Sequence, residues 1–246
     1  MTTSITFLED CMNVMARYPD GYFDLVHADP PYFSGPERRG FYGVSGNTKT
    51  NANRRDYPKS EAWTVPDHFY FDEVKRVSKH QIIWGVNYYN YQFGPGRIVW
   101  DKVNQESSYS DCEIAYCSMH YSVRLFRFMW NGMMQGKSIA EGHIQRGDKS
   151  KNQERIHTCE KPVELYQWSF QKYAKPGWKI LDTHLGSGSH RLAAYDMGFD
   201  FYGCELDPVH FAKQETRFAE YLKKEKAKPA LFTGRVKTEQ IQLFAQ

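Results

Sequence analysis

The chain has 246 residues, with 32 Lys and Arg against 29 Asp and Glu for a formal net charge of +3. Apolar residues make up 41% and aromatics 16%, enough for a sizeable core, which excludes disorder as the global state. No apolar run nears the ~18 residues that span a bilayer, the N-terminus lacks the basic start of a secretory signal, and five scattered cysteines without a C-x-x-C pair argue against a disulfide scaffold or a cysteine-rich zinc site. These features lead to the expectation of a reduced, soluble, cytoplasmic protein. The length suits a single domain over residues 1–246, with loop insertions at about 33–63 and 131–157.

In chain order, Ser4–Leu8 alternates like a short strand, and Asp10 stands at an N-cap position ahead of a helix over Cys11–Arg17. Phe23–Ala28 is a buried strand that runs into Asp29-Pro30-Pro31-Tyr32, where two prolines without N–H donors stop it. Ser34–Ser60 follows, rich in Gly and Asn, with six basic residues against Glu37 and Asp56 and a few interleaved aromatics. A structureless basic stretch of that length suits nucleic acid, where cations meet phosphate and rings stack on bases. A merely solvated loop has the same composition. Phe69, Val74 and Val77 give Pro66–Ser78 a helical spacing, and strands are expected at Gln81–Val86, Arg97–Asp101, Glu113–Met119 and Val123–Trp130.

Asn131–Thr158 reads as loop with one short helix. From Pro162, which fits a first helical turn, a helix runs toward Lys175. Lys179–Asp182 is a strand, Arg191–Met197 a helix closed by Gly198, Phe199–Glu205 a strand, and Pro208–Lys223 a helix. This alternation predicts an α/β, Rossmann-like fold around a mixed, mostly parallel sheet with helices on both faces.

Two constellations carry chemistry. The first is a strand ending at Asp182, the turn Gly186-Ser187-Gly188, a helix, and a strand ending at Glu205. Glycines let backbone approach a ligand, helix-start N–H groups are free, and an acidic residue at the next strand tip can accept both hydroxyls of a ribose. Arg191 stands where a third glycine would complete G-x-G-x-x-G, which disfavours a dinucleotide and suits a nucleoside without pyrophosphate. The second is Asp29-Pro30-Pro31-Tyr32 at a strand's carboxyl end. It offers acceptors for the hydrogens of an exocyclic amine and a ring to stack on a flat base.

DPPY, followed by HTCEKPVEL, ILDTHLGSGS and GCELD, resembles the DNA amino-methyltransferases, and the order of the motifs is that of the β class. IIWGVNYY, RIVWDK and FRFMWNGM look like segments of small phage and prophage modification methylases. The resemblance covers residues of about 4–220 outside the two loops.

It implies S-adenosylmethionine as cofactor, double-stranded DNA as partner and adenine N6 as the target amine. It implies that Asp29, Pro30, Pro31 and Tyr32 form the catalytic pocket, with Asp29 also bordering the cofactor. Asp182, Gly186 and Gly188 would cradle the methionine portion, Glu205 would take the ribose, Asp10 with Cys11 would border the adenine, and Thr183, His184, Ser187 and Leu206 would also contact the cofactor. His157, Lys161 and Pro162 match the H-P-x-x-K-P element beside the cofactor, although Thr158 stands where that element has its first proline. His184 replaces the family's Phe. A neutral ring would pack in the same place, whereas a charged one would repel a sulfonium.

Arg38, Arg39, Lys49, Arg54 and Arg55 are the nucleic-acid-binding candidates. Cytosine N4 and RNA adenine remain open as substrates, as does a silent module that binds DNA or cofactor without turnover. Protein-glutamine methylation is disfavoured because there the glycine motif precedes the N/D-P-P-Y turn. Related enzymes often form homodimers, an assembly the residues themselves do not dictate. No His pair has metal-ligand spacing, so no metal is expected, and no membrane association.

Overall fold

The computed structural model describes residues 2–32, 64–104, 110–131, 134–153, 155–156 and 159–227. Ten strands and five α-helices follow in chain order among them. They are β1 (Ser4–Leu8), α1 (Cys11–Met15), β2 (Phe23–Ala28), α2 (His68–Val77), β3 (Ser78–Trp84), β4 (Arg97–Asp101), β5 (Cys112–Cys117), β6 (Val123–Arg127), β7 (Trp130–Asn131), β8 (Met134–Gln135), α3 (Val163–Tyr173), β9 (Lys179–Asp182), α4 (Ser189–Met197), β10 (Asp200–Glu205) and α5 (Pro208–Ala227).

Eight strands form one sheet in the order β1-β10-β9-β2-β3-β5-β4-β6, and β7 and β8 form a small ribbon. Only β5 runs antiparallel to its neighbours in the large sheet. The sheet is therefore mixed and mostly parallel, as the alternation of elements predicts.

Period-two alternation divides each central strand between two cores. From β2, Leu25 packs with α3 and α4 through Leu165, Phe170, Ala193 and Ala194. Val26 and Ala28 face the other way, onto α1 and α2 through Val14, Met15, Phe71 and Val74. Helices thus cover both faces.

The topology places the site. From β9 the chain leads through α4 to β10 on one side, and from β2 through α2 to β3 on the other, while β9 and β2 pair directly through Leu25 with Ile180 and Val26 with Leu181. Strand order reverses between them, and in such sheets the crevice at the carboxyl ends of those two strands takes the ligand. Those ends are Asp29–Tyr32 and Asp182–Gly188.

Several boundaries differ from expectation for local reasons. Helix α1 stops at Met15, two residues early. Strand β3 begins at Ser78, directly after α2, where the Ser78 hydroxyl bonds back to the Val74 carbonyl at 2.6 Å, and it ends before Gly85, whose φ is 74°. Strand β5 stops at Cys117, short of Met119, and β6 at Arg127, after which Trp130 turns into the ribbon with β8. Helix α4 starts two residues early, at Ser189, and α5 continues to Ala227.

Candidate active site

Asp29 leaves β2 into a buried set of charges. Its Oδ2 pairs with the Lys161 ammonium, which also lies 2.9 Å from Glu113 Oε2 on β5; Glu113 Oε1 in turn pairs with Lys102. The Lys161 side chain is only 3% exposed. Burial alone would neutralise such an amine, yet the Asp29 and Glu113 carboxylates hold Lys161 well above its usual range. Burial would likewise raise Glu113, but Lys161 and Lys102 hold it down at about 2. Burial raises Asp29, with Glu113 adding to the rise and Lys161 opposing it. Two cations and two carboxylates balance, and Asp29 Oδ1 is buried without a hydrogen-bond partner.

The rest of the turn is set by the segment after β3. Tyr89 donates its hydroxyl to the Pro30 carbonyl at 2.6 Å, which occupies one of the two lone-pair directions of that oxygen. Tyr32 stacks on Tyr88 with ring centroids 4.4 Å apart and planes 9° from parallel. Beside them opens a cavity of about 260 Å³ lined by Tyr32, Gly85, Asn87, Tyr88, Asp111 and Glu113, among others.

Across the switch point, the turn after β9 uses Gly186 and Gly188 at φ 51° and 73°, a conformation that excludes most side chains. The Gly186 N–H donates to Glu205 Oε2 at 2.8 Å, and Asp207 N–H to Oε1 at 2.9 Å, so the carboxylate at the tip of β10 is fixed against the glycine turn. Burial raises the Glu205 carboxyl above its ordinary range. Ser187 is buried, its carbonyl accepting from Arg217 at 2.9 Å, and Leu206 is 69% exposed beside the turn. Arg191, at the place of the missing glycine, bonds Ser4, Gln214 and Glu215 and so ties α4 to β1 and α5.

Asp182 ends β9 just ahead of this turn. It is fully buried, accepts the His184 N–H at 3.0 Å and sits 2.6 Å from His190 Nδ1. Burial raises its carboxyl to about 7. Thr183 bonds Tyr70 at 2.6 Å and His184 Nδ1 at 3.0 Å. Burial lowers His184 to about 4, so its ring is neutral at pH 7 and packs edge-on to Tyr70. Asp10 caps α1 by accepting from Met12 and Asn13, and burial pushes the Cys11 thiol up to about 12, leaving it unreactive. Pro162 caps α3 and directly follows Lys161.

Asp29, Tyr32 and Lys161 therefore meet at one end of the crevice, and Thr183, His184, Gly186 and Glu205 at the other. Lys161, expected beside a cofactor, pairs with Asp29, which was expected to border it as well. His157, Arg38, Arg39, Lys49, Arg54 and Arg55 lie outside the described residues. Sequence reasoning missed Glu113, Lys102, Tyr88 and Tyr89. An acidic residue inside the otherwise apolar run Cys112–Cys117 was a signal for the first. Among the described residues no group of His, Cys, Asp and Glu is arranged to hold a metal ion, and no helix is long and apolar enough to cross a membrane.

A doubly wound sheet with a glycine turn and an acidic strand tip on one side of its switch point, and an acidic proline turn on the other, is a Rossmann-like arrangement. Residues 135–214 match the family model described as DNA methylase. The chain is 22% identical to the type II methyltransferase M.HinfI of Haemophilus influenzae, over 86% of this chain and 67% of that protein. Its fold resembles the PvuII DNA methyltransferase, described as cytosine-N4-specific, with a TM-score of 0.52 and 14% identity over 88% of this chain and 87% of that one. It also resembles M1.HpyAVI in a crystal structure described as its SAM complex, with a TM-score of 0.51 and 14% identity over 87% of this chain and 100% of that one. The family match and the curated relative together support a DNA amino-methyltransferase.

Proposed function

We propose that this protein transfers the methyl group of S-adenosylmethionine to the N6 amine of an adenine in double-stranded DNA. The observation that carries the reading is the buried, unpartnered Asp29 Oδ1, next to a proline turn and an aromatic ring, across the switch point from the Gly186 turn and Glu205.

The residues present fit the cofactor. Gly186, where nothing comes closer than 3.9 Å to an added methyl, leaves room for close approach, Glu205 stands ready for ribose hydroxyls, and the neutral His184 places no cation beside a sulfonium. Asp10, Cys11 and the exposed Leu206 would border its adenine. When bound, the cofactor supplies an electrophilic methyl group on a sulfonium.

The chain's own residues then do the following. Asp29 Oδ1 accepts one hydrogen of the target amine, and the open lone pair of the Pro30 carbonyl accepts the other. An aromatic amine is conjugated with its ring and weakly nucleophilic. Acceptors on its hydrogens draw electron density onto nitrogen and favour tetrahedral geometry. Tyr32, backed by Tyr88, stacks on the base and holds it for in-line attack, so orientation supplies much of the rate. No covalent enzyme intermediate is required. A base inside a duplex must leave the stack to reach this turn, at a cost of a few kcal/mol. Arg38, Arg39, Lys49, Arg54 and Arg55 belong to the segment we assign to phosphate contacts.

The likeness in fold to a cytosine-N4-specific enzyme favours one second reading, cytosine N4, which needs the same amine chemistry. Labelled S-adenosylmethionine incubated with unmethylated duplex DNA or with RNA, followed by nucleoside digestion, separates the readings. Label in N6-methyladenine from DNA is expected. Label in N4-methylcytosine would move the target base, and label in RNA alone would overturn DNA as substrate.

A further inference from the structure

We infer that Glu113 is a positioning residue for Asp29: anchored by Lys102, it takes a share of the Lys161 ammonium, and this sharing leaves one Asp29 oxygen open as an acceptor. The inference rests on the proposed reading of Asp29 only for its catalytic consequence. The geometry stands independently.

Lys161 has three N–H donors. The ammonium hydrogen-bonds Asp29 Oδ2 and forms an ion pair with Glu113 Oε2 at 2.9 Å, while the cation lies 5.8 Å from the centre of the Trp84 ring. Without Glu113, a buried ammonium would satisfy its donors on the remaining carboxylate, and a bidentate hold would close the open oxygen Oδ1. With Glu113 present the cation is divided, Oδ1 accepts nothing, and Asp29 stays a stronger acceptor than a fully neutralised carboxylate. Lys102 occupies Glu113 Oε1, so Glu113 itself stays ionised and fixed on β5. Glu113 also lines the cavity beside Tyr32, which puts the sharing at the edge of the site.

The charged and titratable groups around Asp29 are Lys161 ahead of α3, Glu113 on β5, Asp182 on β9, and the Tyr32, Tyr89 and Tyr166 hydroxyls, whose own ionisation burial suppresses. Glu113 opposes the ionisation of Asp29 and Lys161 favours it. Removing Glu113 should therefore lower the Asp29 midpoint, and removing Lys102, which frees Glu113 to draw Lys161 away, should raise it.

The test is a carboxyl titration of the full chain by carbon-13 NMR with labelled aspartate, the Asp29 signal being assigned by its loss in Asp29→Asn. Glu113→Gln is expected to lower the Asp29 midpoint by about one pH unit, Lys102→Met to raise it, and Glu113→Asp to restore most of the parent value. An unmoved midpoint in both Glu113→Gln and Lys102→Met, or a rise in Glu113→Gln, overturns the inference. If Glu113→Gln does not fold, Lys102→Met alone decides by its sign. The titration needs no turnover, so absence of methyl transfer by the parent protein would reject the proposed function while the positioning role of Glu113 would still be decided by the midpoints.

Discussion

Tyr32 and Gly85 approach so closely that a methyl group added to Gly85 would fall 2.7 Å from the Tyr32 ring. Gly85 also has φ 74°, and the two facts together explain why the chain turns after β3 as it does: the ring that ends the proline turn occupies the space a side chain would fill. Gly177 supplies a control, because its φ is 82° and nothing lies within 4 Å of an added methyl. Gly177→Ala should cost about 1 kcal/mol of backbone strain and leave transfer unchanged. Gly85→Ala should cost more and slow transfer by displacing Tyr32. Urea unfolding with parallel rate measurements checks both, and equal effects of the two substitutions would contradict the packing account.

Lys161, itself buried, holds two largely buried carboxylates at once, and removing it strands Asp29 while Glu113 keeps only Lys102. Lys161→Met should destabilise the protein by about 3–5 kcal/mol, the range for breaking a buried ion pair on one side. A loss below about 1 kcal/mol in urea unfolding would mean that the network behaves like a solvated surface pair.

Glu205 is fixed by two backbone N–H groups, and its removal leaves the Gly186 N–H without an acceptor. Glu205→Ala should weaken cofactor binding about 10- to 100-fold, as expected for losing hydrogen bonds to a charged group. Calorimetric titration with S-adenosylmethionine measures it. Unchanged affinity would remove Glu205 from the ribose position.

His184 shows what the sequence could pose and the structure had to answer. As a residue in place of Phe it was ambiguous between a packed neutral ring and a cation. Burial against Tyr70 and Thr183 decides for the neutral ring. Its folded pKa, near 4, lies below that of an unfolded histidine, so the unfolded chain binds the extra proton in that window. Its contribution to stability is therefore intact above pH ~6.5 and falls as pH drops toward 4. His27 and His190, also buried and lowered, act in the same direction, whereas Asp182, raised to about 7, acts against them. His184→Phe should keep cofactor affinity at pH 7 and lose less stability than the parent between pH 7 and 5. Melting curves across that range test it, and identical pH slopes would contradict the assignment.

Legibility followed the range of the interactions. Phe23–Ala28 ending in two prolines, and the strand–glycine turn–helix–strand run from Lys179 to Glu205, are local patterns, and both stood out. The β3 start was misplaced because α2 passes into it at Ser78 with no turn residue to mark the change. The Glu113–Lys161–Asp29 contact joins three distant segments, and nothing in the spacing of an acidic residue on β5 and a lysine before α3 says that they meet. Lys161 was singled out through its motif, but its partner was not, because a motif gives a position and the fold gives the neighbour.

That Asp29 activates the target amine is tested most directly by single-turnover methyl transfer in Asp29→Ala, with cofactor saturating and its binding checked by calorimetry. The expected result is a loss of at least about 100-fold in the transfer rate with cofactor binding retained in part. A transfer rate within a few-fold of the parent would contradict it.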